Sequence, residues 1–368
     1  MGYFKGIKLK YYRNFLDSSF EFDKRCNIII GNNGSGKTNI LESLSLLEKG
    51  RGFKKEKLNN LVNYEMHDKN FHIRSTFHHE DIDYTADVFN NDKNERNVKK
   101  ILVNGSDDSY SLKHFENLLS FIYFLPEMER LFVSSPSSRR NFIDRLIYTK
   151  DKKYNLLINK YKKFIYERQK ILQNSHYDEV WIDKLENNIV NFGIEIYKKR
   201  LEQVHILNSI LFKLDIYQNL SYNFILKLTD IFIEKNLNPD DLDRQFFINE
   251  LKKNRKIDTL KGGCSIGPHR SDIIGYKINT NFNINQFSTG QQKTAILLII
   301  IAQCKYLIEK NNLKPIILLD EICSHLDNDN RELLLYLIEK LEVQVFMTGT
   351  DKNLFSFLST KAYYCNIT

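Results

Sequence analysis

One segment near the N-terminus has the residue types and the spacing to bind a chain of phosphates. Residues 31–38 read Gly-Asn-Asn-Gly-Ser-Gly-Lys-Thr, which fits the pattern G-x-x-x-x-G-K-[ST]. Glycines at these positions allow successive backbone N–H groups to turn inward and cradle phosphate oxygens. The segment therefore predicts an ATP-binding loop. The residues expected to contact the nucleotide are Gly31, Asn32, Asn33, Gly34, Ser35, Gly36, Lys37 and Thr38.

The sequence on either side of this loop supplies the structural context that the motif requires. Cys26 to Ile30 is a short apolar run typical of a buried strand, and residues 39–48 carry apolar side chains at helical spacing. Lys37 is expected to pair with the β- and γ-phosphates and to act in catalysis, and the Thr38 hydroxyl is expected to ligate Mg²⁺. The alternative, a Gly/Asn-rich turn that happens to precede Lys-Thr, does not explain a strand before the loop and a helix after it.

A second motif places two acids at the end of an apolar run. Residues 316–319 read Ile-Ile-Leu-Leu and are followed by Asp320 and Glu321. Asp320 is expected to hold the metal, and Glu321 to orient or deprotonate the attacking water as a catalytic residue. Taken alone, the two acids could instead cap a following helix. The glycine loop favours the magnesium-nucleotide interpretation.

A third motif, Ser288-Thr289-Gly290-Gln291-Gln292-Lys293, precedes the apolar helix of residues 294–302. It brings a hydroxyl, free N–H groups and the positive end of a helix dipole to one point, which predicts a second phosphate-binding surface. Because the chain has a single glycine loop, Ser288 and Gly290 are expected to contact the ATP of another subunit. ATP binding is therefore expected to produce a homodimer. An ordinary serine N-cap is the alternative.

The elements around these motifs divide the chain into an α/β part and a helical part. Residues 1–127 alternate like strands and include a probable hairpin turn at Asn104-Gly105, and the α/β pattern resumes over 260–368 with a second apolar strand at 343–347. Residues 128–259 carry apolar stripes at helical spacing. The sequence thus predicts an α/β fold: a P-loop ATPase lobe (1–127 plus 260–368), with mixed sheet and helices, and an inserted, mainly helical lobe with a short arm (128–259).

Composition limits the partners of this protein. The net charge of +8 is compatible with binding to nucleic acid, although a single lysine in a basic cluster is more often simply solvated. The longest apolar run, residues 295–302, is far shorter than the roughly 20 residues that span a bilayer, so we expect a cytoplasmic protein with no membrane partner. The five cysteines lack the spacing of a zinc site. The basic candidates for DNA contact are Arg51, Lys54, Lys55, Lys57, Lys150, Lys152, Lys153, Lys160, Lys162, Lys163, Lys198, Lys199 and Arg200.

Together the three motifs resemble an ABC-type ATPase head, and the distance between them resembles that of the RecF family. Lys37 and Asp320 lie 283 positions apart, more than in transporter subunits and less than in proteins with long coiled-coil arms. Further segments in the same order are similar to RecF motifs. They are Arg13-Asn14, Phe124 to Glu127, Ser135 to Asp144, Tyr166 to Gln169, Gly267-Pro268-His269-Arg270-Ser271-Asp272, Ser324-His325-Leu326-Asp327 and Thr348-Gly349-Thr350-Asp351.

The resemblance implies a function. It implies a weak, DNA-linked ATPase that acts as a recombination mediator, in which ATP-driven dimerisation clamps DNA and hydrolysis releases it. It implies roles in recombinational gap repair, replication restart and the SOS response. The implied partners are single-stranded and gapped or junction DNA, RecR and, functionally, RecO. Arg13 would lie near the adenine pocket and contact the cofactor.

Three departures from transporter-type heads bear on this interpretation. No Gln precedes Gln169, so Glu127 or a neighbour would have to replace the glutamine that links metal and γ-phosphate. Thr348 stands where transporters have a switch histidine, which suggests slower or differently triggered hydrolysis. Thr289 stands where glycine or arginine is more usual. The alternatives are a transporter subunit and a structural head of a chromosome-organising complex, and the spacing and short helical region disfavour both.

Overall fold

The computed structural model describes residues 2–66, 68–93, 96–174, 177–235, 242–322 and 327–367. The predicted motif residues Ser324, His325 and Leu326 lie outside this range. The chain divides into two compact units, one formed by residues 1–129 and 304–368 and the other by residues 130–303. The second unit is thus inserted between the two parts of the first.

The α/β class predicted from the sequence is confirmed. The strands are β1 (Tyr3–Tyr12), β2 (Phe15–Glu21), β3 (Cys26–Ile30), β4 (His72–His79), β5 (Ile82–Lys93), β6 (Arg96–Val103), β7 (Phe121–Phe124), β8 (Phe224–Thr229), β9 (Asp272–Lys277), β10 (Ile316–Leu319), β11 (Gln344–Gly349) and β12 (Tyr363–Asn366). The helices are α1 (Lys37–Ser45), α2 (Ser109–Leu118), α3 (Pro136–Lys150), α4 (Tyr154–Leu172), α5 (Glu179–Leu211), α6 (Asp215–Gln218), α7 (Ile231–Lys235), α8 (Arg244–Lys253), α9 (Arg255–Lys261), α10 (Thr289–Asn311) and α11 (Asn328–Glu339).

The first unit contains an antiparallel sheet with the strand order β2-β1-β4-β5-β6. On β1, Ile7 and Leu9 are buried while Lys8 and Lys10 are exposed, as the alternating sequence predicts. The predicted turn at Asn104-Gly105 is also confirmed. Both residues have positive φ, 50° and 81°, which is the geometry that two-residue hairpin turns require.

The second sheet of this unit is parallel and has the strand order β12-β3-β11-β10-β7. The register pairs Ile30 of β3 with Gly349 of β11, and Leu319 of β10 with Met347 of β11. The carboxyl ends of β3, β11 and β10 are therefore neighbours, in the region where open α/β sheets bind ligands. The residues that follow β3 and β10 are the glycine loop and the acid pair.

A buried glutamine connects the two sheets. The Gln344 side chain accepts a hydrogen bond from the Phe4 backbone N–H (2.8 Å) and donates to the carbonyl oxygens of Phe4 and Asp23 (both 2.8 Å). Because a buried amide without partners is costly, these three bonds fix the start of β11 against β1.

The second unit consists mainly of helices, as predicted, together with the antiparallel pair β8-β9. Two long helices of this unit, α4 and α5, have 19 and 33 residues and pack against each other. At 1.5 Å per residue the longer one spans about 50 Å. Among the described helices, none combines the length and the apolar character needed to cross a bilayer.

A buried arginine organises the second unit. Arg200 of α5 is 3% exposed and binds both carboxylate oxygens of Asp144 (2.8 Å each). It also donates to the Pro268 carbonyl (2.5 Å) and to the Ser271 hydroxyl (3.0 Å). A separate pair, Arg139 and Asp272, forms two further bonds of 2.7 Å. The segment 267–272 is thereby held to α3 and α5.

This packing differs from the boundary predicted at residue 260. Residues 260–303 belong by packing to the helical unit, because the hydrogen bonds of segment 267–272 and the pairing of β9 with β8 hold them there. The sequence pattern of residues 260–303 resembles an α/β lobe because it contains a strand followed by an apolar helix. Local pattern does not report which neighbours a strand pairs with.

His269, in the same segment, is held as a neutral imidazole. Its Nε2 lies 2.9 Å from the Cys264 carbonyl oxygen and its Nδ1 lies 2.7 Å from the Tyr161 hydroxyl. The carbonyl accepts only, so Nε2 carries the proton and Nδ1 accepts from the tyrosine. Burial lowers the pKa of His269 to about 4.

We expect this histidine to make the stability of the second unit dependent on pH. The unfolded chain takes up the proton near pH 6.5 and the folded chain only near pH 4, so stability falls as the pH drops through that window. Urea unfolding measures the difference in free energy of unfolding between the wild type and His269→Gln. We expect this difference to fall by about 2–3 kcal/mol from pH 7.5 to pH 4.5. A constant difference across this range would contradict the burial of a neutral histidine.

Candidate nucleotide-binding site

The loop of residues 31–38 connects β3 directly to α1. Gly34 and Gly36 have φ of 84° and 102°, in the left-handed region that favours glycine. A Cβ at Gly36 would lie 2.5 Å from the side-chain amide of Asn14, whereas a Cβ at Gly34 would meet no atom within 4 Å. The loop is therefore packed against Asn14 on one side and open on the other.

Asn14, in the turn between β1 and β2, supports the loop. Its amide Nδ2 donates to the Ser35 carbonyl (2.8 Å), and its Oδ1 accepts from Nδ2 of Asn39 in α1 (2.9 Å). The sequence associated Asn14 with a family motif but did not predict this role. The signal available was an uncharged amide directly between two strands, which is not specific enough to identify a partner.

Lys37 lies over the loop with its side chain only 5% exposed. Its ammonium group donates to the carbonyl oxygens of Gly31 (2.7 Å) and Asn32 (2.8 Å). The hydroxyl of Ser35 is buried and has no hydrogen-bond partner within the described structure. A positive charge, an unsatisfied hydroxyl and the N-terminus of α1 thus converge on the loop, and this combination fits a phosphate group.

The structure brings the predicted acid Asp320 to the loop. The Thr38 hydroxyl lies 3.0 Å from Oδ1 and 2.9 Å from Oδ2 of Asp320, whose side chain is 4% exposed. Oxygen donors of this kind suit Mg²⁺, which binds one or two protein groups and takes its other ligands from water and phosphate. Among the described residues, no cluster of three or more His, Cys, Asp or Glu could hold a metal ion by itself.

Thr348 connects the two predicted acids. Its buried hydroxyl donates to Oδ1 of Asp320 (2.7 Å) and accepts from the backbone N–H of Glu321 (2.8 Å). Glu321 is exposed and has a φ of 52°, a conformation that is costly for a residue with a side chain. The threonine thus fixes the carboxylate of one acid and the backbone of the next. The sequence singled out Thr348 as part of a family-like segment and for departing from the transporter histidine, but it did not predict this bridging role.

Arg13, predicted to contact the cofactor, is engaged with α1. Its Nε and Nη2 donate to the two carboxylate oxygens of Glu42 (3.0 and 2.9 Å), and its Nη1 donates to the Asn60 carbonyl (3.2 Å). The Tyr12 hydroxyl donates to the same carboxylate (3.0 Å). Arg13 therefore secures α1 to the turn after β1, and its contact with ATP stays a prediction.

Ser288 and Gly290 lie in the second unit, at the start of α10. The Ser288 hydroxyl accepts from the Gln291 N–H (3.2 Å), and the Gln291 side chain accepts from the Ser288 N–H (3.1 Å). This reciprocal pair is a capping box, the local arrangement that the alternative interpretation expected. The Ser288 side chain is exposed, and its contact with the ATP of another subunit stays a prediction.

The candidate DNA-binding residues differ in burial and in pairing. Arg200 was a wrong candidate, because it is buried against Asp144. Lys150 and Lys199 form ion pairs with acids of their own unit, at 2.8 and 2.7 Å. The candidates after α1 all have exposed side chains: Arg51, Lys54, Lys55 and Lys57. In the helical unit, Lys153, Lys160, Lys162, Lys163 and Lys198 are exposed as well.

The bridging role of Thr348 can be tested by removing its hydroxyl. We expect Thr348→Val to lower kcat for ATP hydrolysis by about 10-fold or more and to raise the Mg²⁺ requirement, because a buried N–H and a carboxylate oxygen lose a partner worth about 1–3 kcal/mol. Thr348→Ser, which keeps the hydroxyl, is the matched control. Kinetics across a Mg²⁺ titration measure the effect, with nucleotide affinity as a check on folding. Equal kcat for the two variants would rule the bridge out.

Comparison with known proteins identifies the family. The sequence matches the RecF/RecN/SMC N terminal domain over residues 3–364. The DNA replication and repair protein RecF of Rickettsia typhi is 31% identical over 347 residues, which cover 94% of this chain and 93% of that protein. This relationship decides against the transporter interpretation that the sequence left open.

Solved structures agree. A structure of the recombination mediator protein RecF-ATPrS in the RecFOR pathway has a TM-score of 0.83 at 25% identity, and the match covers 100% of this chain and 96% of that one. A structure of RecF-ATP from the same pathway has a TM-score of 0.80 at 26% identity, with 95% and 92% covered. The glycine loop, the acid pair beside it and the match along the whole chain lead to one conclusion: this protein belongs to the RecF family of ABC-type ATPases.

Proposed function

We propose that this chain is an ATP-dependent recombination mediator that grips DNA while ATP is bound and releases it after hydrolysis. The observation that carries the proposal is the contact of Thr38 with Asp320, which joins the phosphate loop to the acid pair. A loop without that contact could bind phosphate, but it could not place a metal and a water-orienting acid beside it. Family membership supports DNA replication and repair as the process served.

The residues of the site have separate roles in this proposal. The N–H groups of the loop and the Lys37 ammonium bind the phosphates, and Glu321 orients or deprotonates water. Thr38 and Asp320 would hold Mg²⁺, which neutralises phosphate charge when bound. Thr348 keeps both acids in place, so that the protein needs little rearrangement to act.

Dimerisation is the proposed consequence of ATP binding. The N-terminus of α10 presents an exposed Ser288 hydroxyl and the positive end of a 23-residue helix. ATP held by the loop of one subunit would be contacted by Ser288 and Gly290 of another. ATP then favours the closed dimer because it binds that state more tightly, and hydrolysis removes the preference.

The proposed partners follow from the family. Relatives of known structure carry out recombination mediation in the RecFOR pathway, so we propose RecR as a direct partner and RecO as a functional one. Single-stranded and gapped or junction DNA are the proposed substrates, in gap repair, replication restart and the SOS response. The proposed ATPase is weak and linked to DNA, and its place of action is the cytoplasm, where bacterial DNA lies.

Two variants separate ATP binding from hydrolysis. We expect Lys37→Ala to abolish ATP-dependent dimerisation and DNA binding, because the phosphates lose their principal cation. Asp320→Asn should keep the cradle, lower hydrolysis about 100-fold and prolong the grip on DNA. Sedimentation with ATP, together with binding to single-stranded, duplex and gapped DNA at several salt concentrations, measures both effects. DNA affinity that is independent of ATP on every substrate would overturn the proposal.

A further inference from the structure

The segment that follows α1 is an exposed cluster of cations. Residues 49–57, here called the basic segment, read Lys-Gly-Arg-Gly-Phe-Lys-Lys-Glu-Lys and contain five cations and one acid. The acid, Glu56, accepts a hydrogen bond from Asn60 (3.0 Å). Such a surface suits a polyanion bound through its phosphates rather than its bases. The exposed cations are Lys49, Arg51, Lys54, Lys55 and Lys57.

The basic segment is anchored to the first unit at two points, just before its first residue and at Phe53. Lys99 of β6 donates to the carbonyl oxygens of Leu46 and Glu48 (2.8 and 2.5 Å), just before the segment begins. The Phe53 ring is buried and packs on Tyr123 with centroids 5.4 Å apart. The cations are therefore displayed by a backbone that is fixed to the core, and binding a ligand need not order it first.

Three hydrogen bonds lead from this segment to the phosphate loop. The Lys54 ammonium donates to Oδ1 of Asn39 (3.4 Å), the Asn39 amide donates to Oδ1 of Asn14 (2.9 Å), and the Asn14 amide donates to the Ser35 carbonyl (2.8 Å). A lysine ammonium has three donors, so Lys54 can bind a phosphate oxygen and Asn39 at the same time. The chain of contacts begins at the surface and ends in the loop that holds ATP.

We propose that the basic segment binds the phosphodiester backbone of DNA, and that the path Lys54–Asn39–Asn14–Ser35 transmits this binding to the phosphate loop. The inference rests on the proposed function and assigns to it a surface and a means of regulation. DNA that immobilises Lys54 orders the two asparagines before ATP arrives, so ATP incurs less loss of conformational entropy on binding. By linkage, ATP must tighten DNA binding by the same factor.

The experiment measures the factor by which DNA tightens the binding of ATP to the protein. A fluorescent, non-hydrolysable ATP analogue is titrated with and without a saturating duplex oligonucleotide at fixed salt. For the wild type we expect the analogue to bind about 5-fold or more tightly with DNA present. If the wild type binds no DNA even with ATP, the proposed function itself fails, and this inference fails with it.

Matched variants test the surface and the path separately. Lys54→Gln and Lys57→Gln remove the same charge from the same segment, and each should weaken DNA binding and lower the slope of log affinity against log salt by about 1. In Lys54→Gln and Asn39→Ala, we expect DNA to change the affinity for the ATP analogue by no more than about twofold. In Lys57→Gln, DNA should tighten binding of the analogue by the same factor as in the wild type.

Two outcomes would overturn the inference while leaving the proposed function standing. Wild-type DNA affinity in both lysine variants would show that DNA binds elsewhere. Weakened DNA binding with the wild-type factor retained in Lys54→Gln and Asn39→Ala would show that the segment binds DNA but that the hydrogen-bond path does not carry the coupling.

Discussion

The candidate site depends on one buried carboxylate, that of Asp320. It accepts hydrogen bonds from Thr38, at the start of α1, and from Thr348, near the end of β11. A buried carboxylate is costly without such partners, so these bonds hold the ends of β10 and β11 and the start of α1 together. The backbone of Glu321 is held by the same threonine. The same hydrogen bonds therefore hold the strands of the parallel sheet in place and position the two acids of the site.

The second unit depends on buried charge in a different way. Arg200 and Arg168 are each surrounded by carboxylate and carbonyl oxygens, and neither lies on an exposed surface. Buried pairs of this kind contribute little net stability, but breaking one leaves an uncompensated charge. They involve three of the family-like segments: Arg200 binds residues of segments 135–144 and 267–272, and Arg168 lies in segment 166–169.

The same reasoning explains why counting lysines did not locate a DNA surface. In the helical region, Lys150, Lys199 and Arg200 form ion pairs with acids of their own unit, whereas other lysines, such as Lys160 and Lys162, are exposed. Between residues 49 and 57 the anchor is the aromatic ring of Phe53, so the cations remain free to face solvent. Charge in a sequence becomes a surface property only when burial and pairing are known.

The sequence by itself determined the features that depend on local pattern. These include the bounds of β3 and β10, the turn at Asn104-Gly105, the glycine loop and the acids after β10, because strand periodicity, turn stereochemistry and phosphate binding are each encoded within a few neighbouring residues. Tertiary structure alone decided the roles of Asn14 and Thr348 and the packing of residues 260–303. Each of those depends on partners tens or hundreds of positions away, which only the pairing of strands and helices brings into contact.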